Sequence, residues 1–107
     1  MKSQKQGNAS GTTTGSYVSA LSVYTAEHKS MTFLVRNTGV AQTMYYKVWC
    51  YALNGGTNYV EYVAETSIGT ETTVEFNITE TAYANVVIYV KSNSGATTYN
   101  IDYVLKP

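Results

Sequence analysis

A chain of 107 residues, 44% of them hydrophobic, has the length of one domain and enough apolar content to build one core without metals or cross-links. Seven Lys or Arg balance seven Asp or Glu, and the charged fraction is 13%, against ~25% in an ordinary soluble protein. This excludes a nucleic-acid binder and an anionic-membrane binder, because both need a basic field and no basic cluster exists. A weakly charged, neutral surface points instead to association with protein, other copies of the chain included.

The aromatic content leans to one type. There are 11 Tyr against 2 Phe and 1 Trp. Each buried phenol needs a hydrogen-bond partner, so this excess favours places where one end of the ring is dry and the other wet, as at interfaces. Part of it is also plain β propensity on solvated sheet faces. The single Cys50 rules out an intrachain disulfide. No apolar run is long enough to span a membrane, and no apolar stretch follows Met1-Lys2-Ser3-Gln4-Lys5 to make a signal peptide. For a chain with no leader removed, that reading expects a protein made and used, or assembled, in the cytosol.

Residues 1–15 are Gly, Ser, Thr, Asn, Gln and Lys almost throughout, and they are expected to form a flexible arm: either a frayed terminus or a segment that orders on a neighbouring subunit. From residue 16 the chain reads as one domain. Tyr17 to Thr25 predicts a first strand, with Val18, Ala20 and Val23 competing for the core across a break near Ser22. Met31, Phe33 and Val35 alternate with Thr32, Leu34 and Arg36, and Asn37-Thr38-Gly39 ends that strand with turn chemistry. Met44 to Ala52 is the longest strand, with Met44, Tyr46, Val48 and Cys50 on one face and Tyr45, Lys47, Trp49 and Tyr51 on the other. Asn54-Gly55-Gly56 tolerates positive φ and signals a tight turn. Tyr59 to Ala64 predicts a shorter strand at an edge, followed by a turn at Ser67-Ile68-Gly69-Thr70. Val74, Phe76 and Ile78, then Val86, Ile88 and Val90, then Tyr99, Ile101, Tyr103 and Leu105 mark three more. About seven short strands with turn residues between them predict an all-β antiparallel sandwich, because tight turns cannot make parallel crossovers.

Three stretches carry a resemblance. Phe33-Leu34-Val35-Arg36-Asn37-Thr38-Gly39 resembles the V-x-N-x-G strand end of prokaryotic immunoglobulin-like adhesion and cell-surface modules. Ile68-Gly69-Thr70-Glu71-Thr72-Thr73-Val74-Glu75-Phe76 is similar to the P-G-x-x-x-x-V-x-F of the same modules, with Ile68 where Pro is common. Tyr83 to Ser92 resembles the late hairpin of fibronectin-type sandwiches. The resemblance implies an immunoglobulin-like fold and makes Tyr83 the candidate for a tyrosine corner, its hydroxyl bonding backbone upstream. Tyr99-Asn100-Ile101-Asp102-Tyr103-Val104 and the Lys91-Ser92 hairpin also look like small immunoglobulin-like proteins of tailed phages. That likeness implies a capsid decoration or head-fibre role.

Catalytic and metal chemistry finds little support. The lone His28 stands in a polar turn between Glu27 and Lys29, with no ligand cluster around it. Asp102 and His28 lack a serine in a nucleophile elbow. Asp102 is expected to face solvent or to pair with Lys91 or Arg36. Glu61, Glu65, Glu71, Glu75 and Glu80 form no obvious acid/base pair. Cys50, on an apolar strand, reads as a small buried hydrophobe. No cofactor or metal is expected.

What remains is the stripe Tyr45, Lys47, Trp49 and Tyr51, extended by Tyr59 or Tyr62 and by Tyr89. If the Met44–Cys50 face is core, the stripe lies outside as a protein interface or a platform for sugar rings. If the phase is reversed, Trp49 is buried between the sheets. The expected function is a non-enzymatic structural protein of a virus particle. It would be a capsid decoration subunit, homo-oligomeric, binding the capsid lattice or itself, without nucleic acid or membrane. The alternative is a cell-surface adhesion or carbohydrate-binding module with a glycan partner.

Overall fold

The computed structural model describes residues 4–79 and 83–107. Among the described residues there are eight strands: β1 (Lys5–Thr12), β2 (Val18–Tyr24), β3 (Ser30–Asn37), β4 (Met44–Tyr51), β5 (Tyr59–Ile68), β6 (Thr72–Thr79), β7 (Asn85–Lys91) and β8 (Thr98–Lys106). They form two antiparallel four-stranded sheets in the orders β1-β8-β3-β6 and β2-β7-β4-β5. The all-β antiparallel sandwich expected from the alternating pattern is there.

Its connectivity is more specific. In an immunoglobulin sandwich the first two strands lie side by side in one sheet. Here β1 and β2 belong to different sheets, and β1 pairs with the last strand over eight residues, from Lys5 opposite Leu105 to Thr12 opposite Thr98. This is the strand order of a jelly roll, eight strands wound as two Greek keys. The expected antiparallel sandwich of about seven strands is present with eight, and only the immunoglobulin-like order is corrected to this one.

The eighth strand also corrects the flexible arm expected over residues 1–15, since Lys5–Thr12 is ordered as β1. A segment with no large apolar side chain finds its burial in its partner. The inward positions of β1 are Gly7, Ala9 and Gly11, opposite Tyr103, Ile101 and Tyr99. The Tyr103 and Tyr99 rings lie across the bare glycine backbone, so close that a Cβ on Gly7 would sit 2.2 Å from Tyr103 Cζ, and one on Gly11 2.6 Å from the Tyr99 hydroxyl. The tyrosines supply the apolar cover that the strand lacks, a pairing that offsets glycine's weakness in sheets.

The core lies between the sheets. Met31, Phe33 and Val35 of β3 face Met44, Tyr46, Val48 and Cys50 of β4, all at most 4% exposed. An aromatic seam runs through it, with Phe33 stacked on Phe76 at 4.8 Å and Tyr46 on Phe76 at 6.2 Å. The pattern of β4 thus fixes the phase of the long strand: Trp49 points outward, not between the sheets. β5 runs on to Ile68, past the Ala64 expected as its end, because Ile68 is buried opposite Met44. The break expected near Ser22 falls at Ala20, as a register shift between Ser19 and Leu21.

One end of the sandwich is closed by buried polar groups. Asn37, fully buried at the end of β3, accepts from Thr97 Oγ1 at 2.7 Å and from Gly39 N–H at 3.1 Å. Its amide donates to the Gln42 and Ile68 carbonyls at 2.8 and 3.1 Å. Thr13 Oγ1 shares a hydrogen bond with Ser92 Oγ at 2.6 Å and accepts from Thr97 N–H at 2.9 Å. Every strand connection at this end is thereby tied, as buried polar groups require.

Candidate functional site

The outer face of the β2-β7-β4-β5 sheet carries the stripe. β4 presents Tyr45, Lys47, Trp49 and Tyr51 outward, all half-buried. Register on β7 sets Lys91 opposite Tyr45, Tyr89 opposite Lys47 and Val87 opposite Trp49. Over Tyr45, Lys47, Tyr89 and Lys91, lysine and tyrosine therefore alternate both along and across the strands.

Contacts within this layer are close. Trp49 stacks on Tyr59 with centroids 3.8 Å apart and planes 9° from parallel, and meets Tyr89 edge-on at 5.0 Å. Lys47 Nζ stands 4.2 Å from the centroids of both Trp49 and Tyr17 and 5.6 Å from that of Tyr89. Lys91 Nζ lies 5.0 Å from Tyr17 and 5.9 Å from Tyr45. Each is a cation held against ring faces, a stabilising arrangement where water is partly excluded. Tyr59 is opposite Tyr51, two residues along from Trp49, while Lys47 is two residues back. The two therefore flank the indole from opposite sides and close both its faces. Val87 shows how well the layer covers the sheet: it points outward yet is only 6% exposed.

Polar ends are fastened too. Trp49 Nε1 donates to Glu61 at 3.0 Å, and the Tyr51 and Tyr89 hydroxyls share a hydrogen bond at 3.0 Å. The Tyr17 hydroxyl donates to Glu65, which also pairs with Lys91 at 3.6 Å. These contacts shift protonation. Burial, then the Glu65 carboxylate, pushes the Tyr17 phenol well above its ordinary value. Burial and the Tyr51 hydrogen bond push Tyr89 up to about 12. The Tyr17 hydrogen bond, helped by the Lys91 charge, holds Glu65 below the usual carboxylate range.

Of the residues expected here from sequence, Tyr45, Lys47, Trp49, Tyr51 and Tyr89 share the face. Tyr62 does not. The β4–β5 ladder shifts register between Val48 and Trp49, pairing Val48 with Val63 and Trp49 with Glu61. Tyr62 is the extra residue, and its hydroxyl donates to the Asn77 carbonyl of β6 at 2.8 Å. Tyr59 takes the place on the face. Tyr17 was not foreseen as a member, although the first strand was expected to begin with it, because no local pattern places it beside the lysines of β4 and β7.

Elsewhere, Asp102 faces solvent, the first of the two expectations for it, and accepts from Asn8 of β1 at 2.6 Å. Burial pushes the Cys50 thiol up to about 12, which makes it a buried hydrophobe without thiolate character. Tyr83 packs its ring against the core and its carbonyl accepts from Thr25 Oγ1 at 2.8 Å. The chain just upstream, residues 80–82, lies outside the described residues, and the tyrosine corner stands as a proposal. Among the described residues no group of three or more His, Cys, Asp or Glu could hold a metal.

No family model matches the chain. No curated protein matches it either. Solved structures do. A structure of Bacillus endospore appendages, described as disulfide-linked pili, is 10% identical with a TM-score of 0.58, covering 97% of this chain and 87% of that one. The K3 cleaved adhesin domain of Lys-gingipain from Porphyromonas gingivalis w83 is 12% identical with a TM-score of 0.58, covering 85% and 63%. The VP2 subviral particle of infectious bursal disease virus is 11% identical with a TM-score of 0.55, covering 96% of this chain and 32% of that one. At such identities the likeness is one of fold. The chain has a β-sandwich that pilus, adhesin and capsid proteins also use.

Proposed function

We propose that this protein is a non-enzymatic structural subunit of a surface assembly, in the specific form of a capsid decoration protein that docks on a virus particle through the outer face of its β2-β7-β4-β5 sheet. The observation that carries the reading is the interlocked layer of Tyr17, Tyr45, Lys47, Trp49, Tyr59 and Tyr89. Its rings and cations are already ordered by one another, so docking costs little side-chain entropy. Tyr and Trp are the side chains that most often dominate binding energy. Repetition of the subunit over a lattice multiplies a modest single-site affinity. The occurrence of the fold in pilus, adhesin and capsid proteins supports a structural or adhesive role at a virion or cell surface.

The carbohydrate-binding alternative needs an aromatic ring with an open face for a sugar. Trp49 has none, since Tyr59 and Lys47 flank it. On this layer Tyr59, which is 47% exposed, is the ring to test for such a contact.

The test is co-sedimentation of the purified protein with assembled tailed-phage capsid particles. Wild-type protein is expected to sediment with the particles at a saturable stoichiometry, and a Tyr45→Ala/Tyr89→Ala variant to stay in the supernatant. Failure of the wild type to bind, with a positive glycan array abolished by Tyr59→Ala, would move the function to adhesion.

A further inference from the structure

The β1-β8-β3-β6 sheet has two open edges that match each other. We infer that copies of this chain join head to tail through them, β6 of one copy pairing with β1 of the next to continue the sheet. The inference concerns a different surface from the aromatic layer and does not rest on it.

Strand polarity comes first. β1 is antiparallel to β8, β8 to β3 and β3 to β6, so β1 and β6 run in opposite directions within one sheet. A second copy displaced sideways without being turned over therefore brings its β1 antiparallel to β6 of the first. Both strands have eight residues.

The hydrogen-bond parity fits as well. In an antiparallel ladder, bonded pairs alternate with non-bonded ones. Thr13 N–H donates to the Thr97 carbonyl at 2.8 Å, one step beyond the Thr12–Thr98 pair. The bonded pairs are then Gly11–Tyr99, Ala9–Ile101 and Gly7–Tyr103. The backbone groups of Gln6, Asn8, Ser10 and Thr12 point away from β8, off the open edge. On the far side, Thr38 N–H bonds the Thr98 carbonyl at 2.9 Å, which sets the parity of β3. It leaves Thr73, Glu75, Asn77 and Thr79 pointing off the β6 edge. The Tyr62 hydroxyl reaches the Asn77 carbonyl from outside at 2.8 Å, as that parity requires, so this side chain covers that point of the edge and swings aside when the next copy pairs there.

The two free rows are also level. Asn8 is in line with Asp102, Leu34 and Glu75 across the sheet, Gln6 with Asn77, and Ser10 with Thr73. Sideways displacement alone thus sets free N–H and C=O groups against each other. The side chains beside them pair as Gln6 with Asn77, Asn8 with Glu75 and Ser10 with Thr73. All three are hydrogen-bonding combinations, and none is a like-charge pair.

Proteins usually blunt sheet edges with bulges, prolines or inward charges. The other sheet does this: β2 is bulged between Ser19 and Leu21, and the β4–β5 ladder is irregular from Tyr46 to Trp49. The β1 and β6 ladders run through all eight pairs without a break, and neither strand contains proline. Charge is mixed at both edges, with Glu75 on β6 and Arg36 bonded to Thr73 there, and Lys5 on β1 with Asp102 bonded to Asn8 there, so it does not oppose this heterologous contact. Such contact does not close in a dimer, and with the right-handed twist of the sheet it winds into an open array. One strand pair is a small interface, so assembly should be concentration-dependent.

The experiment is light scattering coupled to size exclusion across concentration. Wild type is expected to grow beyond dimer as concentration rises. Ser10→Pro removes an N–H from the β1 edge, and Thr73→Pro one from the β6 edge, and neither N–H serves the internal ladder; each variant alone should stay monomeric. An equimolar mixture should give dimers and nothing larger, because each variant keeps the edge the other lacks. Circular dichroism and melting report whether each variant is folded. Where proline unfolds the chain, Ser10→Lys/Thr73→Lys sets like charges opposite each other at the junction and should likewise give monomers. A Tyr45→Ala/Tyr89→Ala variant should assemble as wild type does, which separates this edge from the docking face. Wild type that is monomeric at every concentration up to its solubility limit, or edge variants that assemble unchanged, would overturn the inference.

Discussion

The indole of Trp49 and the phenol of Tyr59 lie 3.8 Å apart and 9° from parallel, although the two residues come from different strands of an outward-facing surface. A stack this close on a solvated face holds the β4–β5 hairpin as much as it presents a surface. Removing Tyr59 uncovers one face of the only tryptophan while leaving the core untouched.

Tyr59→Ala is therefore expected to shift the Trp49 emission maximum to longer wavelength and to cost about 1 kcal/mol, the scale of an aromatic pair on a partly solvated surface. Fluorescence together with chemical denaturation measures both. An unchanged emission maximum would mean that the ring stack does not persist in solution.

Asn37 uses both lone pairs and both amide hydrogens, and it is fully buried. Asn37→Ala leaves the Thr97 hydroxyl, the Gly39 N–H and two carbonyls without their partner. The expected loss is roughly 3 kcal/mol, since each stranded buried polar group costs ~1–3 kcal/mol and some regain water. Asn37→Asp should lose nearly as much at neutral pH, because a carboxylate has no amide hydrogens for the Gln42 and Ile68 carbonyls. The midpoint of urea unfolding for the two variants checks this.

How far the sequence foretold these features depends on what carried each signal. The strands from Val18 onward were legible because apolar residues alternate, as in Met31-x-Phe33-x-Val35 and Val86-x-Ile88-x-Val90. β1 was not, because its inward row of Gly7, Ala9 and Gly11 has no side chain for periodicity to register. The signal was relational: small residues at a spacing of two, matched by Tyr99, Ile101 and Tyr103 at the other end of the chain. The aromatic face was legible on β4 alone, where one strand carries Tyr45, Lys47, Trp49 and Tyr51. Tyr62 was misplaced and Tyr59 left undecided because a register shift moves residues between faces, and no local pattern announces one. Asn37 looked like ordinary turn chemistry, since its partners Gln42, Ile68 and Thr97 come from three separate segments.

The glycine–tyrosine match makes its own prediction. A Cβ at Gly7 would meet the Tyr103 ring at 2.2 Å, so Gly7→Val must displace either the ring or the strand. The expected outcome is a loss of about 1–3 kcal/mol, the usual cost of overpacking, with the change confined to the edge. Hydrogen exchange should show faster exchange at the Ala9 and Gly11 amides, while Phe33 and Val35 keep their protection. Equal loss of protection throughout the sheet would show that β1 is integral to the core rather than laid over it.

The alkaline limb of stability follows from the tyrosines. Burial raises Tyr46, burial and the Glu65 carboxylate raise Tyr17, and burial with the Tyr51 hydrogen bond raises Tyr89 to about 12. An unfolded tyrosine ionises near pH ~10. Between these values the folded state keeps protons that the unfolded state releases, so stability falls as pH rises. The contribution of these phenols is complete below about pH 10 and is lost as pH climbs through the folded value, which for Tyr89 is about 12. Urea midpoints should accordingly be level up to about pH 9 and drop steeply from about pH 10 to 12. Spectrophotometric titration of the folded protein should show the Tyr17, Tyr46 and Tyr89 phenols ionising only as the fold is lost. Tyr17→Phe and Tyr89→Phe should each flatten the drop, because a side chain that cannot ionise has no proton to release on unfolding. A drop of unchanged steepness in both variants would assign the alkaline transition to other groups.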